Sequence, residues 1–194
     1  MSLPLLPAFI VLWAIVLFQG LIILGLLRTF RELQVAVESG RLPQRLPVGA
    51  HSPRFTGTDL RTGAEIDSSE LIARELVVLF LSEACTFCRR LADGTRQVPV
   101  APGQTRIAVC QGGAREARTF MDLLASDVAV LADPDGAVFA SFGISSTPSA
   151  IVVGETGVVL GSGGPQHSGE LAALISTARQ SVVGGDQPLP ATAR

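Results

Sequence analysis

Cys85 and Cys88 stand with two residues between them, just after the apolar run Leu76-Val77-Val78-Leu79-Phe80-Leu81 and the polar pair Ser82-Glu83. Two thiols three positions apart are close enough to close a disulfide; one would attack a partner's sulfur and the other would resolve the product. Sulfur attacks as thiolate, so the attacking thiol needs a pKa below its free value of about 8.5. The apolar run reads as a strand buried on both faces, as in a parallel sheet. The residues after it suit a helix, with Cys85 near its first turn, where unpaired N–H groups favour negative charge. Arg89 lies one turn further on the same face and would add positive charge there. The alternative is half of a zinc site. Zinc takes about four ligands, and no second Cys or His pair at suitable spacing is present, so no metal is expected.

The elements that would position this pair are readable around it. Residues 54–66 resemble a hairpin turning near Arg61-Thr62-Gly63. Residues 85–91 begin a helix that Asp93-Gly94 breaks, and 106–110 is a second short apolar strand. Residues 114–124 read as a helix with Ala117, Phe120, Met121 and Leu124 on one face. A short strand over 128–131 leads to the turn cluster Asp133-Pro134-Asp135-Gly136 and a helical turn through Phe142. Strands over 150–153 and 158–160 flank Gly154-Glu155-Thr156-Gly157, a hairpin signal, and 170–179 is the closing helix. Strand–helix–strand–helix followed by hairpin–helix predicts an α/β fold, a mixed sheet covered by helices on both faces.

The front of the chain is different. Residues 8–27 carry a single polar side chain, Gln19, and twenty residues at 1.5 Å rise span about 30 Å, one bilayer core. No basic start or small-residue cleavage site accompanies the run, so an uncleaved single-span anchor is expected rather than a signal peptide. Residues 28–47 continue as a juxtamembrane helix and a proline-containing linker, 48–182 form one domain, and 183–194 form a disordered tail. Arg28, Arg31, Arg41 and Arg45 all lie after the span, which by the positive-inside rule would keep the domain in the cytoplasm. The chain has no lysine, however, so arginine placement reflects composition as well as function. A formal net charge of -2 gives no nucleic-acid footprint.

The order of elements with C-x-x-C after the first central strand resembles a thioredoxin fold. More narrowly, Val48-Gly49-Ala50-His51-Ser52-Pro53-Arg54-Phe55 and Asp59-Leu60-Arg61-Thr62-Gly63 resemble the opening of membrane-anchored TlpA/ResA-like thioredoxins. Leu131-Ala132-Asp133-Pro134-Asp135-Gly136 and Phe142-Gly143-Ile144-Ser145-Ser146-Thr147-Pro148-Ser149 continue that likeness. The bare anchor and the Leu-Ser-x-x-Cys-x-x-Cys site are most similar to the accessory thioredoxin of methylamine utilisation, the MauD type. The resemblance implies a membrane-anchored thiol–disulfide oxidoreductase with Cys85 as exposed nucleophile and Cys88 as buried resolving thiol. It implies a cis peptide before Pro148, with Thr147 pairing to an incoming peptide strand, where the bare residues would allow an ordinary proline at a strand's start. No cofactor is implied. The implied partners are a cysteine-containing exported protein, such as a disulfide-rich enzyme subunit or cytochrome, and a membrane thiol donor. The implied location is the outer side of the cytoplasmic membrane, against the arginine count.

Two positions depart from the family. Thioredoxin has a buried acid six residues before its first cysteine, where this chain has Leu79. The ResA-like proteins have a glutamate three residues after the second, where this chain has Leu91. Fast reductase turnover therefore does not carry over, and a redox-inactive binding module on the same fold is the competing reading. A metal-binding accessory protein using Cys85, Cys88 and His167 is a third. Glu83 reads as a surface residue, Cys110 as a buried small residue or a third redox cysteine, and His51 and His167 as loop histidines, the latter bordering the active site in this fold.

Overall fold

The computed structural model describes residues 12–13, 17–20, 46–71 and 73–184. The chain divides into two units, Met1–Leu42 and Pro43–Arg194. In the first, residues 12–13 and 17–20 are helical, with Leu12, Trp13, Leu17 and Phe18 exposed. The expected span over 8–27 otherwise lies outside the described residues, as do nearly all of the linker 28–47 and the tail from 185 onward. No helix among the described residues is long and apolar enough to cross a membrane.

In the second unit the strand over the apolar run, β3 (Glu75–Ser82), buries all six of its interior residues. A strand can do so only in the middle of a sheet covered on both sides. Naming the others in chain order, β1 is Thr56–Thr58, β2 Glu65–Asp67, α1 Thr86–Gly94, β4 Gln104–Gln111 and α2 Ala114–Arg118. They are followed by β5 (Val128–Asp133), α3 (Ala137–Ser141), β6 (Ser149–Val153), β7 (Val159–Gly163) and α4 (Ser168–Gly184). The five-stranded sheet has the order β5-β4-β3-β6-β7, with β1 and β2 forming a separate antiparallel hairpin. β4 is parallel to β3 and to β5, whereas β6 is antiparallel to β3 and to β7. The predicted mixed sheet is therefore present, and β3 is its switch point.

Alternation along the strands sends two sets of side chains in opposite directions. Val77, Leu79, Leu81, Ala108, Cys110 and Val152 join Leu91 and Ala92 of α1, Ala117 of α2 and Leu171, Ile175 and Ala178 of α4. The α4 residues recur at helical spacing, so one stripe of that helix faces the sheet. On the other side Val78, Phe80, Val109 and Ile151 meet Phe55, Phe139 and Phe142. The rings there pack edge-on, Phe80 with Phe139 at 5.1 Å between centroids and Phe55 with Phe142 at 5.7 Å. The hairpin presses on this second face: a Cβ added to Gly57 would lie 2.6 Å from Leu131 Cδ2. The turn into α3 uses Gly136 at φ 68°, and the buried Asp133 side chain accepts the N–H of Phe139 at 2.9 Å, closing the start of that helix.

Two helices differ from expectation. The predicted helix over 114–124 is α-helical only to Arg118. From Thr119 the backbone tightens into successive three-residue turns, Thr119 to Glu116, Phe120 to Ala117 and Met121 to Arg118, with the Thr119 hydroxyl also on the Glu116 carbonyl. Phe120 and Leu124 are still buried, and the Leu124 N–H returns to a four-residue step, donating to the Phe120 carbonyl at 2.9 Å. The closing helix is longer than 170–179 and continues to Gly184, into what was expected to be tail.

Asp59 ties the hairpin to the sheet. Its carboxylate accepts the N–H of Val130 at 2.9 Å and of Arg61 at 3.1 Å and the Thr62 hydroxyl at 2.7 Å. Burial alone would raise this carboxyl's pKa, but the bonds from Val130, Thr62 and Arg61 outweigh it and hold it below the usual carboxylate range. Glu75 is also held low, first by its two-pronged bond to Arg179 at 2.7 and 2.8 Å. Folded-state values below the unfolded ones give stability that is complete above about pH 5–6 and lost as pH falls through the folded values. Asp59→Ala is expected to cost about 2–3 kcal/mol of unfolding free energy in urea at pH 7. It should also remove part of the acid-induced loss, leaving the Glu75 share; an unchanged acid profile would show that Asp59 does not make the tie.

Candidate active site

β3 ends at Ser82, and a turn over Glu83 and Ala84 brings Cys85 back so that its N–H donates to the Ser82 carbonyl at 3.1 Å. Cys85 keeps extended backbone angles (φ −96°, ψ 111°) and is the N-cap of α1. Its sulfur takes the capping role usually filled by oxygen, accepting the Cys88 N–H at 3.2 Å. One turn later Cys88 points into the first face of the sheet and is fully buried, while Cys85 is half-buried. Neither sulfur is joined in a disulfide, nor is that of Cys110.

From the other side of the cleft the segment before β6 approaches. The Thr147–Pro148 peptide is cis, as the resemblance implied, and the Cys85 thiol donates to the Thr147 carbonyl at 3.4 Å. The two cysteines, Thr147 and Pro148 are therefore drawn to one point at the C-terminal end of β3. Arg89 is exposed on α1 and takes part in none of the ion pairs among the described residues. Phe87, between the cysteines, is exposed, with the Arg90 guanidinium 6.0 Å from its ring centre. Glu83 is on the surface, as expected.

Burial pushes the Cys88 thiol up to about 12; the bond with Cys85 and that residue's charge add to the rise, while Ser82 and Thr147 oppose it. Leu79 and Leu91, at the two positions where relatives would carry an acid, are fully buried in the same apolar cluster. Cys110, paired in register with Leu81, lies in that cluster too, and burial first and Cys88 second push it up to about 12.

His167 opens α4. Its Nδ1 accepts the Glu170 N–H at 3.4 Å, and its Nε2 lies 3.2 Å from the Glu170 carboxylate. The next residue, Ser168, bonds Gln97 and abuts Gly94, about nine helical residues beyond Cys85. The structure does not bring His167 to the cysteines. Among the described residues no three His, Cys, Asp or Glu side chains converge to hold a metal. His51 is exposed and bridges to Val158.

Comparison with solved structures places this arrangement. A Chlorobium tepidum protein proposed to be the thiol:disulfide interchange protein DsbE is 21% identical with a TM-score of 0.60, the match covering 69% of this chain and 98% of that one. The chain has a thioredoxin fold. A secreted Mycobacterium tuberculosis disulfide oxidoreductase homologous to DsbE of E. coli has the same thioredoxin fold at 23% identity and a TM-score of 0.54, covering 63% and 94% of the two chains. So does the thioredoxin domain of a Bacteroides vulgatus thiol-disulfide oxidoreductase, at 20% identity, TM-score 0.53, and 66% and 97% coverage. No protein-family model and no curated protein matches the sequence.

The sequence reading missed the Cys85 sulfur as a helix cap and the Thr147 carbonyl as its acceptor. The first carried little signal, since N-caps favour Ser, Thr, Asp and Asn and a cysteine here stands in for them. The second spans 62 residues and had no local signal.

Proposed function

We propose that this chain is a thiol–disulfide oxidoreductase in which Cys85 is the nucleophile and Cys88 resolves. The observation that carries the reading is the placement of one accessible sulfur at a helix start, against a cis-proline segment, with a second sulfur buried one turn behind it. The N–H directed at Cys85 Sγ is the kind of donor that steadies negative charge on sulfur. In the reducing direction the Cys85 thiolate attacks a substrate disulfide, forming a mixed disulfide and releasing one substrate thiolate. Cys88, once deprotonated, attacks Cys85 Sγ and releases the second substrate thiol, leaving a Cys85–Cys88 disulfide; two electrons pass to the substrate. In the oxidising direction the same bonds exchange in reverse. Thr147 and Pro148 border the groove in which an extended substrate segment would lie. Arg89, one turn along α1, would act on charge at Cys85 through space. The solved structures of similar fold that bear thiol:disulfide exchange names support this reading.

We assign the chain to the outer side of the cytoplasmic membrane, held by residues 8–27, with cysteine-containing exported proteins as substrates and a membrane thiol donor resetting the pair. The length and polarity of that run support the anchor, and the redox preference of disulfide traffic supports the side. Likeness to the methylamine-utilisation type favours a disulfide-rich enzyme subunit as substrate. The test is Cys88→Ser in the full chain, expressed in cells. It should accumulate disulfide-linked partners that dithiothreitol releases, and a membrane-impermeant thiol reagent should label reduced Cys85 before lysis. Absence of any mixed disulfide, in cells and with oxidised glutathione in vitro, would leave a redox-inactive binding module; labelling only after lysis would put the domain in the cytoplasm.

A further inference from the structure

At the end of β4 away from Cys110, Arg61, Arg96 and Arg106 line one cavity of about 630 Å³. Arg106 is committed. It is buried, its Nε donates to Asp127 at 2.7 Å, and its NH1 donates to the Thr95 and Val98 carbonyls. Arg61 and Arg96 are not. Each spends one terminal nitrogen on a backbone carbonyl, Arg61 on Met121 at 2.7 Å and Arg96 on Asp122. Those carbonyls belong to consecutive residues of the cavity's wall, and each guanidinium keeps most of its five donors. Arg61 Nε is buried with no hydrogen-bond partner among the described residues, so the donors Arg61 can offer the cleft are those of its terminal nitrogens. Asp127 neutralises Arg106, and among the described residues Asp122 is the one other acid lining the cavity, so the charges of those residues sum to one net positive.

We propose that this cleft binds a small molecule bearing a phosphate or carboxylate group, its oxygens gripped by Arg61 and Arg96. Planar guanidinium forks match both kinds of oxoanion. Val98, Pro99 and Leu124 supply an apolar wall for the rest of the ligand, and the volume falls in the range of small-molecule sites. The site is separate from the cysteine pair and does not depend on the redox reading. It lies beyond the C-terminal end of α1, whereas Cys85 caps that helix at its start.

The test is titration of the full-length chain in mild detergent with inorganic phosphate, with citrate, and with chloride at matched ionic strength, following the arginine Nε–H resonances. Arg61 and Arg96 signals should shift saturably with phosphate, citrate or both, and not with chloride. Phosphate alone would identify a phosphoryl ligand and citrate alone a carboxylate. Arg96→Gln, at an exposed position, should weaken binding about tenfold or more, as should Arg61→Gln, while Asp122→Asn should tighten it. Thiol exchange at Cys85 should stay within about twofold in all three variants. Non-saturating shifts alike for every anion, or an affinity unchanged in both arginine variants, would overturn the proposal.

Discussion

Replacing Cys85 with serine is expected to slow the chain's reaction with a small aromatic disulfide at pH 7 by about 10³-fold or more. Neither remaining sulfur can take over. Cys88 and Cys110 are fully buried, and burial, the largest cause holding each thiol protonated at pH 7, remains when Cys85 is replaced. Access adds a second barrier, since a disulfide would have to reach sulfurs enclosed by Leu79, Leu91 and the α4 stripe. The measurement is the initial release of aromatic thiolate from the full chain, reduced beforehand and freed of reductant. Cys110→Ala, run alongside, should keep at least about half of the wild-type rate, because that thiol neither reaches the surface nor faces the substrate groove. Residual activity above about a tenth of wild type in Cys85→Ser would mean that another sulfur attacks, and the assignment of nucleophile would fail.

The parts of this fold that were legible were those whose signal is local. Six apolar residues in a row, bounded by polar ones, read as a strand covered on both faces, and β3 is one. Asp133-Pro134-Asp135-Gly136 specifies its own turn, because the aspartate bonds forward to α3 and Gly136 alone tolerates the left-handed angle without cost. Residues 119–124 were misread because Ala117 and Phe120, three apart, and Leu124, four further on, fit a mixture of three- and four-residue turns as well as a regular α-helix. The Thr119 hydroxyl on the Glu116 carbonyl, which accompanies the tightening, leaves no trace in hydrophobic periodicity. Long-range polar ties were the least legible. Asp59 reaches Val130 across 71 positions and Arg61 reaches Met121 across 60, so neither the hairpin's anchorage nor the arginine cleft could be seen from spacing. At the site itself the cysteines declared their chemistry by type and spacing. What they could not declare was the interior behind them, where two leucines and a third thiol surround Cys88.

That interior sets the second large effect. Resolution of a mixed disulfide at Cys85 is expected to quicken nearly tenfold per pH unit between pH 7 and about 10, because only the Cys88 thiolate attacks. Three causes raise this thiol, and burial is the largest. When Cys85 is tied up in a mixed disulfide, its bond to Cys88 and its charge cease to contribute, but burial remains. The two buried acids among the described residues do not help. Asp59 is bound to Val130 and Thr62, and Asp133 to the start of α3. Cys110, packed in the same cluster, is itself held protonated by burial and so has no free base to take the proton. Leu91→Glu and Leu79→Asp each place a carboxylate in the cluster that holds Cys88. Either should raise the pH 7 resolution rate at least about tenfold and flatten its rise up to about pH 9. Each also buries a charge where a leucine packed, at a cost of about 2–5 kcal/mol, so urea unfolding must show that the variant is folded before its rate is read. With a symmetric aromatic disulfide, the first thiolate released reports attack by Cys85 and the second reports resolution by Cys88, so the two steps separate in one stopped-flow trace. A wild-type second phase that does not change with pH would mean that the Cys88 proton leaves by a route this interior does not provide, and the explanation from burial would fall.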